Sequence, residues 1–355
     1  MLLSGRCRRV LEGPGERHKR RHAWGVPELI HIGQRPQPQG VEGLSNEEDW
    51  KQASPARINS ALQYALTKGA GGWFVLDASS RVGHTLQRFE VSGRELVAWR
   101  GPSGLMVAPA ACPHMGADLS CGSTRDGRVV CPWHGLALGE ERHGAWAPLR
   151  TYEDGVLSWV QIPGIESLTD MPVLPDRPQD FIAGVVRMDV RCEPQDVIAN
   201  RLDPWHGVHF HPHSFAKLRV LEESPESILL RVSYRIAGRL AMEVDATFDC
   251  PSSRVIVMTI VKGEGVGSLV ETHATPITGD RCAVIEATVA TSARAGFLAL
   301  ARSSLIKRVM AYFIERRAAR LWEEDATYAE RIYSLRKDEF VAINQRPEAL
   351  RSRAR

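Results

Sequence analysis

The chain has no run of about eighteen or more apolar residues, the length a membrane-crossing helix requires, so it is expected to have no transmembrane helix. Its N-terminus also lacks the apolar segment of a secretory signal. Cysteine is scarce: seven in 355 residues cannot form a disulfide framework and favour a reducing compartment, with the cytoplasm as the expected location. Net charge is small, +3 from 45 basic and 42 acidic residues, which gives no argument for a nucleic-acid partner. No G-x-G-x-x-G follows a strand. Gly263-Glu264-Gly265-Val266-Gly267 sits in a hairpin-like setting with no helix after it, so neither a flavin nor a nicotinamide fingerprint is present.

Two short clusters carry most of the chemistry. Cys112-Pro113-His114 is followed by Cys131-Pro132-Trp133-His134, a C-x-H…C-x-x-H pattern that alternates thiol and imidazole. A Rieske [2Fe–2S] cluster needs two thiolates on one iron and two imidazoles on the other, one Cys and one His from each of two loops. Zinc also accepts two Cys and two His, but zinc fingers usually pair Cys with Cys and His with His along the chain. Pro113 and Pro132 stiffen the loops, and Gly116 and Gly135 let the backbone fold close over the sulfurs. The chain thus resembles a Rieske non-heme iron oxygenase, the terminal oxygenase component. The respiratory branch of the superfamily has an extra cysteine pair where this chain has Ala117 and Trp133, so the oxygenase and ferredoxin type fits better. Cys121, with no obvious partner, reads as a buried thiol.

The second cluster, Asn200 to His211, matches the N-x-x-D-x-x-H-x-x-x-x-H signature of that family position by position. A mononuclear Fe(II) that must bind O2 beside a substrate calls for two imidazoles and one carboxylate, with open positions opposite. Asn200, Asp203 and His206 recur at i, i+3 and i+6, which one helix would place on one side. His211 lies about 140° further round a regular helix. Pro212 disfavours helical geometry at His211, so the helix should end there and let the ring turn back. The family spacing assigns His206 and His211, while His209 and His213 remain alternatives. The resemblance places the carboxylate far downstream, where Trp322-Glu323-Glu324-Asp325 fits. Helical phase favours Asp325, on a stripe with Leu321, Tyr328, Ile332 and Leu335; Glu324, which shares a face with Arg320 and Arg331, is the runner-up. The resemblance makes Asp203 the bridge between a cluster histidine and an iron histidine, in a homotrimer where the cluster of one subunit serves the iron of the next.

Around these motifs the expected class is α+β. Residues 1–45 read as a basic extension and 46–70 as a helical lead-in capped by Ser45 or Asn46, with Ile58, Leu62 and Leu66 on its apolar face. Residues 71–162 read as an all-β [2Fe–2S] domain, 163–180 as a Pro-rich linker, and 341–355 as a tail. Residues 181–340 read as a catalytic domain, a large antiparallel sheet covered by helices, with a long helical stretch from about 294 to 336. The implied cofactors are a [2Fe–2S] cluster and a mononuclear Fe(II). The implied partners are O2, an organic substrate, and a ferredoxin or flavin reductase that supplies electrons. The implied reaction is hydroxylation, desaturation or demethylation; an electron-transfer or iron-sensing role is the alternative. The substrate pocket is expected to be lined from the sheet, from residues around Phe210 and Phe215, and from the helix over 297–313. The apolar face of that helix, which includes Phe297 and Ile314, favours a large apolar substrate such as a sterol or carotenoid. Its basic flank allows either a peripheral membrane contact or packing on protein.

Overall fold

In the computed structural model, residues 53–237, 240–294, 296–297 and 302–344 are described. The expected N-terminal extension, the first residues of the helical lead-in and most of the tail lie outside them. Among the described residues the lead-in includes helix α1 (Pro55–Leu66), with Pro55 at the first helical position after an extended Ser54. Ala61, Leu62 and Ala65 are buried against the sheet described below, whereas Leu66 is exposed.

The strands that follow are short and all antiparallel. They are β1 (Trp73–Ala78), β2 (Gln87–Val91), β3 (Arg94–Gly101), β4 (Gly104–Pro109), β5 (Ser123–Arg125), β6 (Arg128–Val130), β7 (Ala137–Leu138), β8 (Thr151–Glu153) and β9 (Leu157–Gln161). They form three three-stranded sheets, ordered β1-β9-β8, β2-β3-β4 and β5-β6-β7. The stronger β-branched and aromatic runs were foreseen; β2, β5, β7 and β8 were not, being short or mixed in polarity. Cys121 ends a 3-10 turn, Leu119–Cys121, and is half-buried; it is not among the free cysteines, contrary to the buried thiol expected.

Seven longer strands build one antiparallel sheet: β10 (Ile182–Val190), β11 (Phe215–Glu223), β12 (Ser227–Ala237), β13 (Leu240–Ser252), β14 (Val255–Gly263), β15 (Leu269–Pro276) and β16 (Cys282–Ala290). Their order is β10-β16-β15-β14-β13-β12-β11. Strand β16 shows why the sheet has two covered faces. Its side chains alternate: Ala283, Ile285 and Ala287 join a core with Trp73, Val75 and Trp159 of the first sheet, while Cys282 and Val284 point the other way. That second face is covered by α4 (Ser304–Asn344), through Ala318, Trp322, Ala329 and Tyr333. At Gly184 of β10 a Cβ would stand 2.8 Å from Ile314 Cγ2 and 2.9 Å from the Ala311 carbonyl, so only glycine allows α4 this close. Residues 296–297 are also helical, within the stretch expected from about 294, and α4 itself runs from Ser304 past 336.

Between β10 and β11 come two short helices, α2 (Pro194–Arg201) and α3 (His206–Phe210). A capping box between Glu193 and Asp196, with Pro194 at the first position, starts α2. The single helix expected through Asn200, Asp203 and His206 is therefore two. Helix α2 ends at Arg201, and Pro204, which has no N–H to continue the ladder, follows in the turn.

Candidate metal centres and cavity

The two Cys-His loops are built alike. The Cys112 N–H donates to the Ala117 carbonyl at 2.9 Å and the Gly116 N–H to the Cys112 carbonyl at 2.8 Å. In the second loop the Cys131 N–H donates to Leu136 at 2.8 Å and the Gly135 N–H to Cys131 at 3.1 Å. Gly116 and Gly135 sit at φ 76° and 73°, left-handed conformations that favour glycine. The loops face each other. The His114 and His134 rings approach to 4.8 Å between centroids, and the Cys112 and Cys131 thiols interact. Both cysteines are buried and free, and burial, with the neighbouring Cys131 sulfur, raises the Cys112 pKa. Two thiols paired on one side and two imidazoles on the other suit the two ends of a Rieske cluster. Met115 and Trp133, beside the histidines, are exposed.

The second centre assembles from α2, α3 and α4. One ligand atom each from His206, His211 and Asp325 lie within 4.8 Å of one another, the one such convergence among the described residues. The Nε2 atoms of both histidines stand 3.0 Å from Asp325 Oδ1. The Nδ1 atoms are held from behind: His206 Nδ1 contacts the Asp203 carbonyl, and His211 Nδ1 stands 2.5 Å from Glu324 Oε2. With Nδ1–H donating to these oxygens, each Nε2 keeps its lone pair toward the centre. Burial alone would raise the Asp325 carboxyl, but the hydrogen bonds to His206 and His211 hold it well below the usual carboxylate range. Two imidazoles and one buried carboxylate are the donor set of a mononuclear non-heme iron site.

Around the three donors, Asn200 Nδ2 donates to Asp325 Oδ1 at 3.1 Å. Asp203 is buried; its Oδ2 accepts from the Tyr328 hydroxyl at 3.1 Å, while Oδ1 has no hydrogen-bond partner among the described residues. Tyr328 also stacks on His206, with centroids 5.2 Å apart and planes 29° apart. Glu324 orients His211 instead of joining the triad. His213 lies 3.9 Å from Glu324, and His209 is exposed; neither is in the triad. Asp325 is on the buried face of α4, but that face runs through Ala318, Trp322, Ala329 and Tyr333. Ile332 and Leu335, expected on the same stripe, are exposed. Sequence reasoning missed the roles of Glu324 and Tyr328. The spacing that put Tyr328 one turn from Asp325 was the available signal.

A cavity of about 50 Å³ opens beside the triad, lined by His206, His211 and Asp325 with Phe215, Tyr234 and Arg201. A larger one of about 410 Å³ shares Arg201, Phe215, Tyr234, Met258 and Leu321 with it, and reaches Phe297 and Ile314. Phe215 and Phe297 were foreseen here; Phe210 is exposed and lines neither cavity.

Comparison with known proteins agrees with this geometry. Residues 72–153 match the Rieske [2Fe-2S] domain. The chain is a Rieske non-heme iron oxygenase family member. Residues 163–340, half of the chain, belong to a family described as Domain of unknown function (DUF5914). The vanillate O-demethylase oxygenase subunit of Pseudomonas sp. strain HR199 is 27% identical over 184 residues, 47% of this chain and 49% of that protein. The match thus spans about half the length of that curated relative. Dicamba monooxygenase bound to dicamba superposes with a TM-score of 0.58 at 18% identity, covering 78% of this chain and 91% of that one. The terminal oxygenase of carbazole 1,9a-dioxygenase from Nocardioides aromaticivorans IC177 gives 0.56 at 12% identity, covering 84% and 93%. At those identities the two structures establish the shared fold, an all-β cluster domain followed by a large antiparallel sheet with helices. No helix among the described residues is long and apolar enough to cross a membrane.

Proposed function

We propose that this chain is a terminal oxygenase that uses O2 and electrons from a separate ferredoxin or flavin reductase to hydroxylate, desaturate or demethylate an organic substrate. The observation that carries the reading is the His206–His211–Asp325 convergence at the mouth of a largely apolar cavity, in a chain that also has a Rieske domain. An electron carrier needs neither the second donor set nor the cavity. In this reading Cys112, His114, Cys131 and His134 hold the cluster, and His206, His211 and Asp325 hold the mononuclear iron. When bound, the cluster supplies electrons one at a time and the mononuclear iron supplies a site for O2.

The protein's own groups have definable tasks. Asp203 Oδ1 is a buried acceptor with no partner among the described residues, and such an atom is costly unless a donor reaches it. A histidine N–H from the cluster loop of a neighbouring subunit is a donor of the right kind, which supports Asp203 as the bridge and a homotrimer as the working assembly. His114 and His134 stand at an exposed tip beside Met115 and Trp133, a surface suited to such contact. Asn200 holds the Asp325 carboxylate against the two histidines. Residues 71–162 act as the cluster domain and 181–340 as the catalytic domain, joined through 163–180.

The cavity favours a bulky, mostly hydrocarbon substrate of the sterol or carotenoid kind. Met242, Met258, Ile260, Leu269, Val289 and Phe297 supply most of the walls. Leu305, Val309, Tyr312 and Phe313 of α4 are exposed beside Lys307 and Arg308 and offer a peripheral membrane contact through which such a substrate could arrive; in this reading the protein works from the cytoplasm. The test is iron content with substrate-dependent O2 uptake, driven by a surrogate ferredoxin and reductase, over a panel of sterols, polyenes and benzoates. Three irons per chain and coupled turnover of an apolar substrate are expected. A protein with only two irons, and no O2 uptake with any substrate, would refute the oxygenase reading.

A further inference from the structure

Arg201 lines both cavities, yet its guanidinium makes no hydrogen bond to any of the described residues. Glu286 Oε2 stands 3.6 Å from it, beyond hydrogen-bond reach, Asp325 lies within electrostatic range, and its ring contact is Trp322 at 5.8 Å. An arginine has five N–H donors in a planar fork. Leaving all of them unused in a mostly apolar chamber is costly, unless water or a ligand takes them up.

Glu286 is just as unusual. It interrupts the apolar strand β16, and alternation turns it onto the α4 face, into the chamber. Its Oε2 accepts from Trp322 Nε1 at 2.7 Å and from Thr272 Oγ1 at 3.3 Å, while its Oε1 accepts from none of the described residues. The buried carboxylate is therefore fixed in place with one oxygen open. Nothing in the family's iron or cluster chemistry requires this pair. Arg201 is in the wall common to the triad pocket and the wide chamber, and Glu286 is in the wall of the wide chamber, where a substrate would lie.

We propose that Arg201 and Glu286 form a polar subsite that selects a neutral oxygen function, a hydroxyl or a carbonyl, on an otherwise apolar substrate. This deepens the oxygenase reading and rests on it. Arg201 donates to the oxygen, and a hydroxyl can donate in turn to the free Oε1 of Glu286. A substrate carboxylate would satisfy Arg201 but would bring a second negative charge against Glu286, so the same pair rejects acids. Selectivity thus comes from the acid and the base together.

The experiment is equilibrium binding of 2-naphthol and 2-naphthoate, probes with the same aromatic body, to the iron- and cluster-loaded protein under nitrogen. It is run at pH 8, because burial raises the Glu286 pKa and alkaline solution favours its carboxylate form. The wild-type protein is expected to bind naphthol at least about ten-fold tighter than naphthoate. Glu286→Gln should invert that preference by strengthening naphthoate, with naphthol changed by no more than about three-fold. Arg201→Met should weaken naphthol by roughly ten-fold, the loss of one charged hydrogen bond. Arg201→Lys, which keeps the charge, should recover part of it. Naphthoate binding the wild type as tightly as naphthol, no naphthol binding, or an unchanged ratio in Glu286→Gln would each overturn the proposal. Should Arg201→Met not fold, the Glu286→Gln ratio decides alone. These readouts need no turnover, so absent O2 uptake with an intact binding ratio would count against the oxygenase reading and leave the subsite standing.

Discussion

Asp203→Asn is the substitution with the sharpest expected outcome. The carboxylate is buried, Oδ2 accepts from the Tyr328 hydroxyl, and Oδ1 faces no donor among the described residues. In the asparagine variant the amide oxygen keeps the Tyr328 hydrogen bond, which turns the NH2 toward the position of Oδ1. A donor then meets an incoming imidazole N–H where an acceptor stood before. The loss is one charge-assisted hydrogen bond, about 1.5–3 kcal/mol. Expressed in the barrier to electron delivery, that is roughly ten- to two-hundred-fold in rate. Iron content should stay near wild type, because His206 is held through the Asp203 backbone carbonyl, which the substitution keeps. The assay is reductase-driven O2 uptake together with metal analysis and the paramagnetic signal of the reduced cluster. Tyr328→Phe is the companion: it leaves the charge and removes one neutral donor, so the fall should be only several-fold, from about 0.5–1.5 kcal/mol. Wild-type turnover in Asp203→Asn would refute the bridging role. Loss of the mononuclear iron would show that the side chain supports the metal site instead.

Further substitutions separate the two centres and probe the scaffold. Cys131→Ser should abolish the reduced Rieske signal, whereas His206→Ala and Asp325→Ala should keep that signal and lose one iron per chain; a lost cluster signal in His206→Ala would contradict two independent sites. Gly184→Ala should destabilise by about 1–3 kcal/mol in denaturant unfolding, since its Cβ would press on Ile314 and the Ala311 carbonyl, and an unchanged midpoint would mean α4 is not tightly seated. Glu166 is partly buried, which would raise its pKa, but the Ala70 N–H at 2.9 Å and Arg254 at 2.6 Å hold it below the usual value. A depressed carboxylate contributes stability that is present above its unfolded pKa and lost as pH falls through the folded one. Glu166→Gln should therefore be less stable than wild type near neutrality and match it in acid below the folded pKa, and a gap that persists unchanged into acid would assign the effect to packing.

Most of the architecture was legible because each layer has its own period. The alternation in β12 to β16 follows from a sheet covered on both faces, and the broken short strands before it follow from loops that must bend around a cluster. Less legible were segments that tertiary contact alone determines. Strand β11 carries Lys217, Arg219, Glu222 and Glu223, too polar to read as a strand, yet it completes the sheet by pairing along β12. The metal motif shows the same limit at finer scale. Its i, i+3, i+6 spacing implied one helix, but Pro204 splits it in two, and the donors converge because α2, α3 and α4 are held at fixed angles. Asp325 was chosen from a helical stripe that turned out to be rotated: the buried face contains Trp322 and Tyr333 and excludes Ile332 and Leu335.

How α4 is held explains why so remote a residue can serve the triad. Asp325 is more than a hundred positions from His211, yet Asp325 and Asn200 must stay within hydrogen-bond distance. Two anchors flank it. On one side Trp322 is fully buried and hydrogen-bonded to Glu286 of β16. On the other, Arg336 reaches Asp196 at 2.7 Å and Glu193 at 3.0 Å, the two residues whose reciprocal capping starts α2. The helix carrying the carboxylate is thus fastened both to the sheet and to the helix that carries Asn200. Arg336→Met should weaken the second fastening, leave a buried Asp196 without its cation, and lower mononuclear iron occupancy more than cluster content. Equal loss of both metals on metal analysis would mean that Arg336 supports global stability and not the alignment of α4 with α2.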